Sequence, residues 1–173
     1  MKRYPTIKNA DKLDTSEFRG EVAFEVLALA EKGSEEKPVI EWKCVFMWSS
    51  VPEQEHMVGK EFVVPFFFGP GCDVSVSQLK RVLRDSGFQT ATWEDSADVM
   101  IPGALNYLAI QHAVLLGKTT RGGTKGFFNP IRVIRVHPAT GEALGDTIPE
   151  VIDNADVTAA FNASTTKTEK TPF

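Results

Sequence analysis

Five basic side chains fall in a stretch of the chain that contains no acidic residue. Residues 99–141 hold neither Asp nor Glu, and their bases are Lys118, Arg121, Lys125, Arg132 and Arg135. Three of these bases lie in KTTRGGTKG, residues 118–126, whose glycines and polarity are typical of a loop. A local excess of phosphate-neutralising side chains is typical of a polyanion site. An ordinary solvated surface is the alternative interpretation of the same charge pattern.

An outward-facing aromatic residue is predicted on the third β-strand. In residues 61–68, EFVVPFFF, strand alternation points Phe67 outward if Phe62 and Phe66 point inward. By the same alternation Lys43 faces outward on the second strand, beside Phe67. An exposed aromatic face can stack an unpaired base, which is worth about 1–3 kcal/mol. A subunit contact or a covering lid would also account for an exposed Phe67.

The other chemistry-bearing residues do not assemble into a site in the sequence. Residues 117–119, GKT, end like a phosphate-binding P-loop, but that motif requires a glycine where this chain has His112. The remaining candidates are scattered singly, without the spacing of zinc ligands: His56, His137, Cys44 and Cys72. We therefore predict no catalytic residues, no metal and no cofactor, and a protein that is not an enzyme.

Length and composition indicate one soluble domain with some additional chain. The protein has 173 residues, 42% of them hydrophobic and 24% charged, with a net charge of −4. Residues 138–173 carry six acidic and two basic side chains, so the preceding 137 residues are neutral overall. We find no apolar run long enough to span a bilayer and no apolar signal segment near Met1. These features predict a cytoplasmic protein without a membrane partner.

Alternating hydrophobic residues predict five strands and one helix. The strands are residues 20–30, 39–49, 61–68, 108–117 and 127–136. Residues 75–86 read as a helix that ends at Gly87, and residues 88–106 fit no element clearly. A helix between the third and fourth of five strands is the connectivity of the OB-fold. We predict a mainly β, five-stranded OB-like antiparallel barrel, with another five-stranded α+β sheet as the alternative.

Both ends of the chain are predicted to lie outside the barrel. Residues 1–19 are polar and contain Pro5, which favours an irregular N-terminal arm. Residues 20–137 form the barrel domain in this interpretation. Residues 138–173 are rich in Ala, Thr and Asp with little periodicity, so we expect an acidic, mostly flexible C-terminal tail. A short segment, 148–151 or 157–161, could dock on the barrel.

Short fragments in this layout carry a family resemblance. They are Gly20 at the opening of the first strand, the turn at residues 58–60, the helix of residues 79–87 and the FNPI segment at residues 128–131. With them, residues 20–136 resemble the small OB-fold single-stranded-DNA-binding proteins of bacteriophages. The resemblance implies sequence-tolerant binding of single-stranded DNA in replication or recombination, no metal, and location in the host cytoplasm.

The last residues are also similar to a known partner-binding end. Pro172 and Phe173 resemble the tip of bacterial single-strand-binding proteins, which docks on replication proteins. Residues 168–171, TEKT, stand where those proteins have a run of aspartates. The resemblance implies that replication proteins are contacted through the C-terminal tail.

The sequence thus predicts non-catalytic binding of single-stranded DNA in a basic, aromatic-bearing groove. The assigned residues are Lys118, Arg121, Lys125 and Arg132 on phosphates, Lys43 assisting them, and Phe67 stacking a base. The alternative is a structural or protein-interaction module, such as a virion or assembly protein, that uses the same small barrel. In that case the exposed third strand would contact other proteins, including further copies of this chain in a homo-oligomer.

Overall fold

A five-stranded sheet and three α-helices form the part of the chain that the computed structural model describes, residues 12–93, 97–122, 125–144 and 148–169. Within these ranges the side chains of residues 73–74, 97–98, 121–122, 125 and 164–169 are not described. In chain order the elements are β1 (Glu21–Gly33), β2 (Pro38–Ser49), β3 (Glu61–Phe67), α1 (Asp73–Asp85), α2 (Ala97–Ile110), β4 (Val114–Gly122), β5 (Lys125–Val133) and α3 (Asn154–Glu169). Short 3-10 helices precede β1, link β2 to β3, and link α1 to α2.

The strands lie in the order β3-β2-β1-β4-β5, and every neighbouring pair is antiparallel. The prediction of a mainly β fold with five antiparallel strands is confirmed. The sheet is not closed, because β3 and β5 are edge strands and no ladder joins them in the described residues. Pro65 in β3 and Pro130 in β5 have no N–H to donate, so each edge lacks a donor for further pairing.

The sheet curls so that the inner faces of its two edge strands meet. The rings of Phe62 on β3 and Phe128 on β5 have centroids 5.7 Å apart, in an edge-to-face arrangement. Phe18 lies between these two strands, with its ring centroid 5.1 Å from that of Phe62 and 5.3 Å from that of Phe128. Phe18 is only 1% exposed, so the chain just before β1 completes the core.

This position of Phe18 corrects the prediction of an irregular arm for the described residues 12–19. The Leu13 N–H donates to the Glu61 carbonyl at 2.8 Å, which continues the pairing at the start of β3. On the other side, the Thr119 hydroxyl donates to the Thr15 carbonyl at 2.8 Å. Residues 12–18 therefore fill one end of the gap between the edge strands. The rest of the predicted arm, residues 1–11, lies outside the described residues.

The described part of the connection between β3 and β4 contains two α-helices, where the sequence predicted one. Helix α1 lies where residues 75–86 predicted a helix, and Gly87 follows it with φ +112°, a conformation that suits glycine. The strand predicted at residues 108–117 is wrong in its first half, because α2 continues to Ile110 and β4 begins at Val114. Ala104, Leu105 and Leu108 of α2 are fully buried, so the helix lacks the polar face that reveals helical periodicity.

Part of the predicted C-terminal tail is built into the same core. Ile148, Ile152, Val157 and Ala160 are buried, and α3 packs against α2. Two long-range hydrogen bonds hold this segment: the Ile152 N–H donates to the Gly87 carbonyl at 2.9 Å, and the Asn106 amide donates to the Ala160 carbonyl at 2.7 Å. The expectation of a mostly flexible tail is corrected for residues 148–161. Residues 145–147 and 170–173 lie outside the described part.

No helix among the described residues is long and apolar enough to cross a bilayer.

Candidate nucleic-acid interface

A cleft of about 360 Å³ runs between the edge strands, where the sheet fails to close. Residues 64–68 of β3 and its end form one wall, and residues 126–130 of β5 form the other. Helix α1 lies along the cleft and contributes Ser75, Val76, Gln78, Leu79 and Val82, while Thr15 closes one end. The spacing of these helix residues places them on one face of α1. We call this feature the seam cleft.

Each wall of the seam cleft carries one solvent-exposed phenylalanine. Phe67 on β3 is 56% exposed, so it points outward as the alternation predicts, and Phe127 on β5 is 61% exposed. Sequence reasoning missed Phe127. The signal was present, because inward placement of Phe128 on a strand requires its neighbour Phe127 to face outward. Two aromatic rings are therefore accessible at the rim of one cleft.

The predicted basic loop is a β-hairpin. In the ladder between β4 and β5, Arg121 pairs with Gly126 and Gly122 pairs with Lys125. Residues 118–122 and 125–126 therefore extend the two strands, which corrects the loop predicted at residues 118–126. The side chains of Arg121 and Lys125 lie outside the described part of the structure. Their backbone positions lie near the turn of the β4–β5 hairpin, within two residues of the pair formed by Thr120 and Phe127.

Among the basic residues of the sheet whose side chains the structure describes, Lys118 is the one paired directly with a residue of the seam cleft. It is exposed on β4 and lies directly opposite Asn129 of β5, which lines the cleft. Glu21 of β1 lies opposite Lys118 on its other side and offsets part of its charge. Arg132 is exposed two residues beyond Pro130, the last cleft residue on β5, and is opposite Leu116.

Lys43 does not lie beside Phe67. The ladder pairs Lys43 with Val63 and Phe67 with Val39, so the two positions are four residues apart, about 13 Å along the strands. The Lys43 ammonium is also 3.5 Å from a carboxylate oxygen of Glu61. The prediction that Lys43 and Phe67 form one platform is wrong, although both lie on the outer side of the sheet.

Charge is distributed unevenly between the two hairpins. Among the side chains that the structure describes, none that lines the seam cleft is charged. Residues 31–41, at the β1–β2 hairpin, contain four Glu and two Lys, and the Lys32 ammonium is 2.7 Å from the Glu41 carboxylate. The β4–β5 hairpin instead contains bases and no acid from residue 114 to residue 133. An anion at the seam cleft would therefore be attracted toward the β4–β5 side.

Several candidate reactive or anion-binding groups serve the fold. Burial raises the pKa of the Cys44 thiol, which keeps it protonated at neutral pH. The pKa of Tyr107 is also raised, mainly by burial and further by Asp156, while Arg135 opposes the shift. The Arg135 guanidinium donates to the carbonyls of three residues at 2.6–2.9 Å, which are Ser86, Ile148 and Pro149. Arg135 therefore holds the C-terminal segment against the end of α1.

The described residues contain no group of three or more His, Cys, Asp or Glu side chains placed to hold a metal ion.

Comparison with known proteins gave no relative: no family model matches the chain, and neither does any curated protein or solved structure. The interpretation of the seam cleft therefore depends on its own geometry and charge.

Proposed function

We propose that this chain binds single-stranded DNA, without catalysing a reaction, across the seam cleft and the β4–β5 hairpin. The observation that carries the proposal is the pair of exposed rings on opposite walls of one cleft, Phe67 and Phe127. One of these rings lies on the hairpin that also contains Lys118, Arg121 and Lys125. Stacking surfaces beside a basic strand are the two elements that sequence-tolerant binding of single strands requires.

We also propose that the curled sheet is an OB-like barrel with an open seam. The strand order supports this, because β3 and β5 are the two strands that would meet if the sheet closed. The contact between Phe62 and Phe128 already links their inner faces, and α1 lies between β3 and β4 in the chain. OB-folds bind single strands on the face of strands 2 and 3 and with the loops between strands 1 and 2 and between strands 4 and 5. The seam cleft lies between β3 and the β4–β5 hairpin, whereas the β1–β2 hairpin is acidic and is assigned no DNA contact.

The proposed division of labour follows the chemistry of the ligand. Lys118, Arg121, Lys125 and Arg132 neutralise phosphates along the β4–β5 side, while the exposed rings stack bases. Lys43 contributes only weakly, since it is paired with Glu61 and lies about 13 Å from Phe67 in the register. No metal or cofactor takes part in this function.

The biological setting is proposed from the sequence resemblance. We place the protein in phage-type DNA replication or recombination, in the cytoplasm of the host cell. Replication proteins are the proposed partners of the C-terminal end, through Pro172 and Phe173.

The salt dependence of DNA binding tests the proposed function. If about four phosphates are neutralised on a single strand, log K should fall with log salt at a slope near −3. Replacing Arg121 and Lys125 together by alanine should flatten the slope to about −1.5 and weaken binding equally for all sequences, because phosphate contacts carry no base information. Titration of a fluorescent oligo-dT at several salt concentrations measures both quantities.

A matched pair of bases on the other hairpin provides the control. Replacing Lys32 and Lys37 by alanine removes the same charge from the acidic β1–β2 hairpin, so the slope should remain near −3. Loss of the Lys32–Glu41 ion pair should cost little stability, since Lys32 is exposed. A wild-type slope near zero, or no binding at low salt, would rule out the basic groove.

The exposed phenylalanines also favour a second function, a protein-interaction module. Phe67 and Phe127 together expose apolar surface that a second copy or another protein could cover. Sedimentation over a range of concentrations distinguishes the two functions. Self-association that is lost on replacing both residues by serine, together with no binding to oligo-dT, would establish the interaction module in place of DNA binding.

A further inference from the structure

The seam cleft has the surface of a site for a flat, neutral, partly polar group. Its walls are apolar, the lining side chains that the structure describes carry no charge, and its polar groups include the amides of Gln78 and Asn129. A phosphate would find no cation among the described lining residues. The volume of about 360 Å³ lies at the lower end of the range for small-molecule sites, which is about 300–1,000 Å³. The cleft is therefore suited to one small planar group.

The edges that face each other across the cleft are poorly suited to an added peptide strand. Binding by strand addition depends on main-chain hydrogen bonds along an exposed edge. Pro65 on β3 and Pro130 on β5 both line the cleft, and neither has an N–H to donate. A peptide strand would meet a missing donor on both sides. A ligand that stacks on side chains does not depend on those donors.

We infer that the seam cleft receives one unstacked nucleobase of the bound strand, with Phe67 and Phe127 flanking it. This inference rests on the proposed function, and it assigns Phe127 as a base-binding residue. The strand enters from the basic side, because Lys118 lies directly opposite Asn129 and can meet the phosphate next to the inserted base. The charge of the hairpin thus complements the backbone, while the uncharged cleft takes the base.

The two amides explain why the cleft accepts different bases. The Asn129 amide nitrogen donates to the Thr120 hydroxyl and to the Phe127 carbonyl, each at 3.2 Å, so its oxygen is oriented as an acceptor. Every nucleobase offers at least one N–H on its pairing edge, which this oxygen can accept. Gln78 is exposed on α1, and its amide can turn to serve as donor or acceptor. The site therefore binds a strand that carries bases more tightly than an abasic strand, and it discriminates little between the different bases.

The test compares two strands of equal charge that differ only in their bases. Fluorescent oligo-dT and an oligonucleotide of the same length made of abasic residues are titrated at the same low salt concentration. Wild-type protein should bind the dT strand about 5- to 150-fold more tightly, which corresponds to the stacking of one base. Phe127→Leu and Phe67→Leu keep an apolar side chain but remove the ring, so each should lose most of this preference. Binding of the abasic strand should not change.

Two further variants separate the cleft from general surface effects. Gln78→Leu should weaken binding of the dT strand about 2- to 10-fold, the effect of one hydrogen bond, and leave the abasic strand unaffected. Val151→Ala alters an equally exposed apolar side chain, 64% exposed, that does not line the cleft, so both affinities should match those of wild type.

The outcomes distinguish the inference from the function it rests on. Equal affinity of wild-type protein for both strands would overturn base insertion and leave DNA binding through phosphates intact. Failure to bind either strand would overturn both proposals. The leucine variants could instead lower the oligomeric state of the protein in solution without changing its preference for the dT strand. In that case the rings form a subunit contact and the inference is wrong.

Discussion

Deletion of residues 138–173 should leave a chain that no longer folds cooperatively. Ile148, Ile152, Val157 and Ala160 are buried in the same core as the sheet. Burying a large apolar side chain contributes about 1.5–3 kcal/mol. Losing the three large ones, Ile148, Ile152 and Val157, and exposing the residues they contact therefore approaches the total stability of a typical domain, about 5–15 kcal/mol. The deletion also removes Asn154, whose side-chain oxygen accepts a hydrogen bond of 2.8 Å from the buried Trp93 indole.

Thermal and urea unfolding followed by circular dichroism measure this effect. Val151→Ala is the matched control, because Val151 lies in the same C-terminal segment but is 64% exposed, so its unfolding midpoint should stay close to that of the unchanged chain. Ile152→Ala gives a graded version of the test, with an expected loss of about 2–5 kcal/mol. A cooperative transition for residues 1–137 within a few degrees of the full chain would show that the C-terminal segment is not part of the core.

The elements that could be predicted from sequence are those with one buried and one exposed face. In β2 the strict alternation of Trp42, Lys43 and Cys44 matches their burial, and the predicted bounds differ from the observed strand by one residue. Helix α1 has polar residues on one side and is followed by a glycine, and these two features are sufficient to predict a helix from the sequence. Helix α2 lies between the sheet and α3, so burial on several sides removes its periodicity and leaves an apolar run that resembles a strand.

Tertiary context determines the two segments whose predicted structure differed most. Residues 118–126 contain the glycines and threonines of a loop, yet residues 118–122 and 125–126 pair in the β4–β5 ladder. Residues 148–161 carry apolar side chains without clear periodicity, and several of these side chains meet α2 and the end of α1, which sequence alone does not bring together. Local propensity is a weak guide where long-range contacts supply the stabilisation.

The candidate site was predictable only in part for the same reason. Outward placement of Phe67 follows from alternation within a single strand. The separation of Lys43 from Phe67 depends on the register between β2 and β3, and the meeting of Phe67 with Phe127 at one cleft depends on the curl of the whole sheet. Neither property is contained in the pattern of one segment.

Phe18→Ala should lower the free energy of unfolding by about 3–5 kcal/mol, the cost of removing a fully buried aromatic side chain. The Phe18 ring makes edge-to-face contacts with Phe46, Phe62 and Phe128 at centroid distances of 5.1–5.3 Å. The side chain of Gln54 fixes the adjoining backbone, since it accepts from the Arg19 N–H and donates to the Arg19 carbonyl, both at 2.8 Å. The backbone is therefore held in place, and we expect the cavity left by the ring to stay open.

The same substitution at Phe67 provides a control with the opposite profile. Phe67 is 56% exposed, so Phe67→Ala should change stability by no more than about 0.5–1 kcal/mol while removing one stacking surface from the seam cleft. Urea titrations of the two variants, monitored by tryptophan fluorescence, should give a large shift of the midpoint for Phe18→Ala and almost none for Phe67→Ala.

Phe18 also connects stability to the proposed site, because its ring lies between the two strands that form the walls of the cleft. With that ring removed, Phe62 and Phe128 lose the side chain that packs between them, and the spacing of β3 and β5 is no longer fixed. At a temperature where Phe18→Ala is still folded, it should therefore bind oligo-dT with a reduced preference over the abasic strand and with unchanged salt dependence, since the hairpin bases are intact. An unaltered unfolding midpoint would contradict the placement of residues 12–18 in the core. Phe18→Ala could instead be destabilised and still prefer oligo-dT over the abasic strand as strongly as wild type. That result would show that the shape of the seam cleft does not depend on Phe18 and that α1 alone fixes the spacing of the cleft walls.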